Sequence, residues 1–259
     1  MRTILTWLLM VLLPAAGWAS GACAFDGADD NLNMGSDSSL SPTTGMSMSF
    51  WVKRNAVGAL HGFITKGATA AAANLRDYDV SVGSNNKIFS QVSNGSAYII
   101  SMTTAGSTTE LLANKWYHIA WSWDGTTSAN AAKLYVNAKL EQQVTATATI
   151  ATMSDNHDFY VGGNGYAHNG SLDEILFFNT ALTAPEIQAM YASTGAWYPK
   201  RGLVSRWSFD DNGVSSGCVH ANGSTIRDSF GSNNGTVSDG ADNSMTLQSS
   251  PVRERRGRR

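Results

Sequence analysis

The strongest constraint on the fold is a succession of short segments, four to nine residues each, that alternate or run apolar between turn formers. They fall at 48–53, 61–65, 78–82, 88–92, 97–103, 116–123, 133–137, 142–147, 159–162, 171–179 and 203–209. Asn94-Gly95, Asp124-Gly125, Asn164-Gly165, Asn169-Gly170 and Asn212-Gly213 punctuate them. Asparagine or aspartate before glycine tolerates the positive φ that a tight hairpin turn needs. Period-two alternation bounded by such turns marks strands. Eleven strands at hairpin spacing predict an all-β fold, a two-sheet antiparallel jelly-roll sandwich. Composition agrees, because helix-rich chains use many glutamates and this one has only Glu110, Glu141, Glu174, Glu186 and Glu254.

One helix is expected against that background. Thr183 and Glu186 have the spacing of a capping box, and Pro185 sits in the first turn, where a missing N–H costs nothing. Ile187, Met190 and Tyr191 form an apolar stripe at i, i+3 and i+4, and Gly195 can end the helix.

The first residues read as an address. Arg2 precedes an apolar run at 4–13, followed by Pro14 and the small residues Ala15, Ala16 and Gly17. A run of about ten residues is too short to span a bilayer and fits a secretory signal over 1–22. Cleavage after Ala19 or after Ala22 is compatible with the small residues there, and no later stretch could form a transmembrane helix. Cleavage after Ala22 would leave Cys23 first, as in a lipoprotein, but Ser20 stands where such signals carry an aliphatic residue. In an oxidising compartment, extracellular or periplasmic, the only two cysteines, Cys23 and Cys218, are expected to pair as a disulfide.

Charge argues against one class of partner for the body of the chain. The formal net charge is −2, yet Arg253, Arg255, Arg256, Arg258 and Arg259 against Glu254 give the tail 251–259 a local +4, leaving −6 for the rest. An acidic body argues against a nucleic-acid surface, and the tail reads as a disordered basic end that could touch acidic lipid, polysaccharide or nucleic acid.

Three stretches then take on meaning together. The first is Phe25-Asp26-Gly27-Ala28-Asp29-Asp30, followed by Met48-Ser49-Phe50-Trp51-Val52-Lys53. The second is Trp116-Tyr117-His118-Ile119-Ala120, the Asp124-Gly125 turn and Leu134-Tyr135-Val136-Asn137. The third is Gly170-Ser171-Leu172-Asp173-Glu174-Ile175, running on through Asn179, Ala181-Leu182-Thr183 and Glu186-Ile187. In this order they resemble the laminin-G-like branch of the concanavalin-A-like jelly rolls, the lectin/glucanase superfamily, over about residues 25 to 191. Ala138 departs from the family's usual glycine, and Asn169 stands where an aromatic is common. Two later stretches, 202–210 and 228–236, resemble the family's opening strand and glycine-rich loop, which in relatives come first. Either the domain is circularly permuted, with 202–237 supplying those parts of a single domain over 23–250, or a second repeat begins here. Permutation is the expected reading, with a Cys23–Cys218 bond joining the displaced ends.

Glycoside hydrolases of this fold need paired carboxylates, typically Glu-x-Asp-x-Glu, and no such triplet occurs. Asp173 and Glu174 are adjacent, so in a regular strand they point to opposite faces. Gly213-Val214-Ser215-Ser216-Gly217 matches a serine-hydrolase pattern but lacks the strand-to-helix turn that pattern needs. His61, His118, His157, His168 and His220 show no zinc spacing. The resemblance implies a Ca²⁺ site in which Asp228, Asn233 and loop carbonyls supply hard oxygen ligands, completed by Asp173; the alternative is that these residues only make turns. Tyr117, Ile119, Trp121 and Trp123 share one face of their strand and Trp116, His118, Ala120 and Ser122 the other; one face must build the core, so most of these tryptophans are expected to be structural. The loop 163–169 offers Tyr166, His168 and Asn169 as ligand contacts, or else is a plain exposed hairpin.

The expectation is therefore a secreted, non-catalytic binding module that recognises carbohydrate or another extracellular ligand, with calcium as cofactor. A structural or adhesive component of a cell-surface or virion assembly is the alternative from another class. A glycan-cleaving enzyme of the same fold is the third.

Overall fold

The computed structural model describes residues 21–67, 76–151, 153, 156–194, 196–210, 222–238 and 245–249. Residues 1–20 of the expected leader, the Gly213 to Gly217 pattern, Cys218, His220, Gly195 and the basic tail lie outside these residues, whereas Gly21 and Ala22 of that leader belong to the first strand. Sixteen strands follow in chain order: β1 Gly21–Asp26, β2 Asn31–Asn33, β3 Met46–Arg54, β4 His61–Gly67, β5 Arg76–Val82, β6 Ile88–Ser93, β7 Tyr98–Met102 and β8 Trp116–Trp123. Then come β9 Ala132–Val136, β10 Lys139–Val144, β11 Phe159–Val161, β12 Asn169–Phe178, the helix α1 Ala184–Ser193, β13 Leu203–Trp207, β14 Thr225–Ile226, β15 Gly235–Ser238 and β16 Thr246–Ser249. Each of the eleven expected strands is present within a few residues of its expected ends. The five not foreseen are β1, β2, β14, β15 and β16.

The strands form two antiparallel sheets. The first has the order β10-β9-β8-β3-β12-β1-β16, with β13 also paired to β12. The second has the order β14-β15-β2-β11-β4-β5-β6-β7. Alternation sorts the side chains as the sequence requires: Met46, Met48, Phe50 and Val52 of β3 and Tyr117, Ile119, Trp121 and Trp123 of β8 all enter the core between the sheets. They meet Tyr78, Val80 and Val82 of β5 and Phe159 and Val161 of β11 from the opposite sheet. Trp121, Trp123 and Trp207 are fully buried there, which makes them structural. Truncating such a side chain costs about 3–5 kcal/mol.

The helix closes the outer face of the first sheet. Thr183 accepts the Glu186 N–H while the Glu186 carboxylate accepts the Thr183 N–H, so the capping box is complete. Ile187 and Met190 bury against Ala120, Leu176, Phe178 and Leu203, a second small core. Tyr191 stacks on Trp51 with ring centroids 5.7 Å apart. Thr194 takes the left-handed position at the C-terminus, φ 51°.

The departure at Ala138 has a geometric reading. Val136 pairs with Lys139 across a two-residue loop, and Asn137 and Ala138 have φ of 52° and 63°. Such a turn needs left-handed conformations at both central residues, which glycine adopts freely and alanine only at a cost.

Candidate functional site

The outer face of the second sheet is polar from edge to edge. Register places Thr225, Thr236, Asn33, Tyr160, Thr65, Asp79, Gln91 and Ser101 opposite one another across all eight strands. Their neighbours in sequence, such as Leu32, Val161, Val80 and Val237, point to the core, so strand periodicity alone generates the row.

The middle of the row is closed. Thr65 and Asp79 are 2% and 0% exposed. Asp79 accepts hydrogen bonds from Arg76 (3.2 Å), Ser81 (3.1 Å) and the Gln91 N–H (3.1 Å). Burial pushes its carboxyl up to about 6, against the pull of Arg76. Arg76 in turn lies over the Tyr166 ring, 5.1 Å from its centroid. Beside it, fully buried Lys66 is tied to Asp77 (3.3 Å) and to the His157 carbonyl (2.6 Å). These polar groups spend their hydrogen bonds on one another.

The open part lies toward β14. A groove of about 450 Å³ is lined by Asn33, Gly35, Asp158, Asn222, Gly223, Asn234, Thr236, Val237 and Ser238. Asn33 Nδ2 and the Tyr160 hydroxyl both donate to Asp158 Oδ2, at 2.9 and 3.3 Å. Burial and the Asp158 charge raise the Tyr160 phenol, so it is a hydrogen-bond donor at neutral pH. Asn222, Asn234, Thr236 and Ser238 are exposed on the rim. Amides, hydroxyls, one carboxylate and a neighbouring tyrosine ring are a donor and acceptor set suited to a polyhydroxylated ligand.

The expected ligand loop is only partly surface. Gly62 N–H donates to the Tyr166 carbonyl and His168 N–H to the Gly162 carbonyl, which folds the loop inward. Gly162, at φ 86°, lies so close to the Phe25 ring that a Cβ there would collide with it. His168 is fully buried, in contact with Phe25, Phe63 and His61, so as a ligand contact it is corrected to a core residue. Burial pushes its imidazole down to about 3, helped by His61 and Arg54. Tyr166 serves as the half-buried platform under Arg76. Asn169 is held by Asn55 (3.1 Å between side chains) and donates its N–H to His61 Nδ1 (3.0 Å). None of the three lines the groove.

The residues expected to ligate calcium do not fit a calcium ion. Asp228 Oδ1 accepts the N–H groups of Arg206, Phe230 and Gly231 at 2.8–3.0 Å, and Oδ2 accepts that of Asn233 at 3.1 Å. A carboxylate offers about four acceptor positions, and here backbone fills them. Asn233 turns its Nδ2 to Ser39 and Ser205, and its carbonyl accepts the Trp207 indole. Asp173 accepts the N–H of Glu174. One group of three acidic ligand atoms within 4.8 Å occurs among the described residues, Asp26, Asp29 and Asp30, and it contains none of the expected three. Cys23 is buried at the centre of β1 and is not a free thiol, while Cys218 lies outside the described residues.

The carboxylates of β12 require a second correction. Asp173 pairs with Trp51 and Leu176 with Ser49, so one extra residue is accommodated between them, with Glu174 at φ 48°. This bulge breaks the alternation and brings Glu174 to the outer face, beside Ser49, Trp51 and His118. Arg206 holds Glu174 with two hydrogen bonds, 2.7 and 3.0 Å. Burial pushes the Glu174 carboxyl up and the guanidinium pulls against it. Ser49 and His118 share a 2.8 Å hydrogen bond. The cleft joining these groups beneath α1 measures about 10 Å³, room for a water at most.

Residues 26–188 match a laminin-G family model described as the concanavalin A-like lectin/glucanases superfamily. A Bacteroides ovatus protein whose carbohydrate-binding name is provisional superposes with TM-score 0.62 at 15% identity, over 90% of this chain and 60% of its own. The heptameric SAP-like pentraxin of Limulus polyphemus gives 0.56 at 15% identity, over 92% of this chain and 99% of its own. The CBM40 domain of the Ruminococcus gnavus IT-sialidase gives 0.52 at 13%, over 66% of this chain and 96% of its own. At these identities the structures share the fold. No curated protein matches the sequence.

Proposed function

Because the chain belongs to the concanavalin A-like lectin/glucanases superfamily, we propose that it is a secreted, non-catalytic carbohydrate-binding module whose ligand lies in the groove beside β15, β2 and β11. The groove carries the reading: about 450 Å³ of open space walled by side-chain amides and hydroxyls, with Tyr160 beside it. Sugar hydroxyls demand both donors and acceptors, and a site built from asparagine, threonine, serine and one aspartate supplies both. The carbohydrate-binding names of two fold neighbours agree with this reading. The narrowness of the outer cleft at Glu174, with room for a water at most, supports the non-catalytic part. Asp228 closes its loop through backbone N–H groups, so the reading includes no calcium.

A glycan array probed with the whole protein tests this. Asn222 and Thr236 are exposed, so Asn222→Ala and Thr236→Ala remove groove contacts without disturbing the core. Each is expected to weaken binding about three- to tenfold, the worth of one hydrogen bond. Binding that survives both substitutions unchanged would move the site elsewhere, and turnover on a polysaccharide panel would reinstate an enzyme.

A further inference from the structure

The groove has one charged group among its described lining residues, Asp158. Its Oδ2 is fixed by Asn33 and Tyr160, so the carboxylate cannot swing away. No described residue donates to Oδ1, which is left as a carboxylate acceptor beside the groove. The cations of the same sheet are spent elsewhere: Lys66 is sealed against Asp77, and Arg76 against Asp79. Arg227, just beyond β14, is not part of the lining.

We propose that Asp158 restricts the groove to uncharged sugar units. The proposal rests on the carbohydrate reading of this site and adds its charge class. A neutral sugar donates a hydroxyl to Oδ1, and a charged acceptor makes that bond stronger than a neutral one does. A uronate or sulfate offers oxygen acceptors where the groove already presents one, and brings a second negative charge near the first with no cation among the described lining residues to offset it. At a separation of about 5 Å, with dielectric between those of a protein surface and water, the repulsion amounts to about tenfold to a hundredfold in affinity.

The test uses oligosaccharide pairs that share a backbone and differ in charge: methyl-esterified and de-esterified oligogalacturonides, lactosamine and its sulfated form, desulfated and native carrageenan oligomers. Affinities of the wild-type protein and Asp158→Asn are measured for each pair at about 50 and 500 mM salt. The expected result is that the wild type favours the neutral member about tenfold or more. That preference shrinks in high salt, where the screening length falls. Asp158→Asn loses several-fold in neutral affinity and brings the two members within about threefold. A merely structural role for Asp158 would lower both affinities together and leave their ratio unchanged. A wild type that binds the acidic member equally well or better overturns the proposal while the carbohydrate reading stands. Failure to bind any member removes the carbohydrate reading and this proposal with it. The wild-type salt series decides the matter even if Asp158→Asn does not fold.

Discussion

Replacing Asp228 by alanine separates two ways of building the loop between β14 and β15. Four backbone N–H groups converge on this carboxylate, from Arg206, Phe230, Gly231 and Asn233, and the side chain is almost wholly buried. A hydrogen bond to a charged group contributes about 1.5–3 kcal/mol, but four sharing one carboxylate do not add, and some donors find water once it is gone. A loss of about 3–5 kcal/mol is expected. For a domain of this size each kcal/mol moves the melting midpoint by about 2–4 °C, so Asp228→Ala should melt roughly 6–20 °C below wild type. Differential scanning fluorimetry with EGTA and with added calcium completes the assay. If the carboxylate organises the loop by itself, EGTA leaves the wild-type midpoint where it was. If it is a calcium ligand, EGTA lowers the wild-type midpoint, calcium restores it, and the alanine variant is indifferent to both. The reasoning fails on that second pattern, or if Asp228→Ala melts within about 2 °C of wild type.

Three further outcomes are expected. His168 titrates near 3 when folded against an ordinary 6.5, so the unfolded chain takes up a proton that the fold refuses. Stability present above pH 6.5 is therefore lost as pH falls toward 3, by up to about 5 kcal/mol, and His168→Phe should flatten urea midpoints over pH 4–7; parallel curves for the two proteins would count against it. Ala138→Gly relieves a left-handed alanine and should raise the melting midpoint by about 1–4 °C, whereas a fall would mean the turn tolerates alanine without strain. Gly21 and Ala22 pair with Ser249 and Gln248 inside β1, and Cys23 is fully buried, so leader cleavage should follow Ala19 and leave Ser20 first. A lipid-modified mass beginning at Cys23 would refute this.

The sequence made the local pairings legible and left the distant ones hidden. Trp116 to Trp123 announces itself because alternation and a following Asp-Gly turn act within a dozen residues. The same holds for α1, whose cap and stripe are local. The strands β2 and β15 hold only three and four residues, and each is stabilised by partners far along the chain: Asn33 by Tyr160, Thr236 by Asn33. A run as short as Asn31-Leu32-Asn33 carries no periodicity to read. The groove is built largely on these strands, and so it could not be found before the sheet was assembled. The error at His168 has a related cause, since a Gly-rich, Asn-rich stretch reads as surface. Here the glycines instead permit close backbone approach, Gly163 to the Tyr166 carbonyl and Gly170 to that of Lys53, which draws the histidine into the core. Asp173 and Glu174 were misjudged because a bulge is invisible to a period-two rule.

The C-terminal strands bear on chain order. One edge of β12 runs along β3, while the other is shared: residues 169–172 pair with β1 and 175–178 with β13. Without β13 half of that edge would have no partner, and without Trp207 the core would lose a ring packed 5.4 Å from Phe159. The second sheet would also end at β2, since β15 pairs directly with it. A segment that starts a second repeat has no reason to complete both sheets of the first, whereas a permuted opening strand must. Limited proteolysis between α1 and β13 under reducing conditions should therefore leave the two pieces associated, or unfold both. Recovery of a folded, soluble 24–195 fragment after release of 202–259 would defeat the permuted reading.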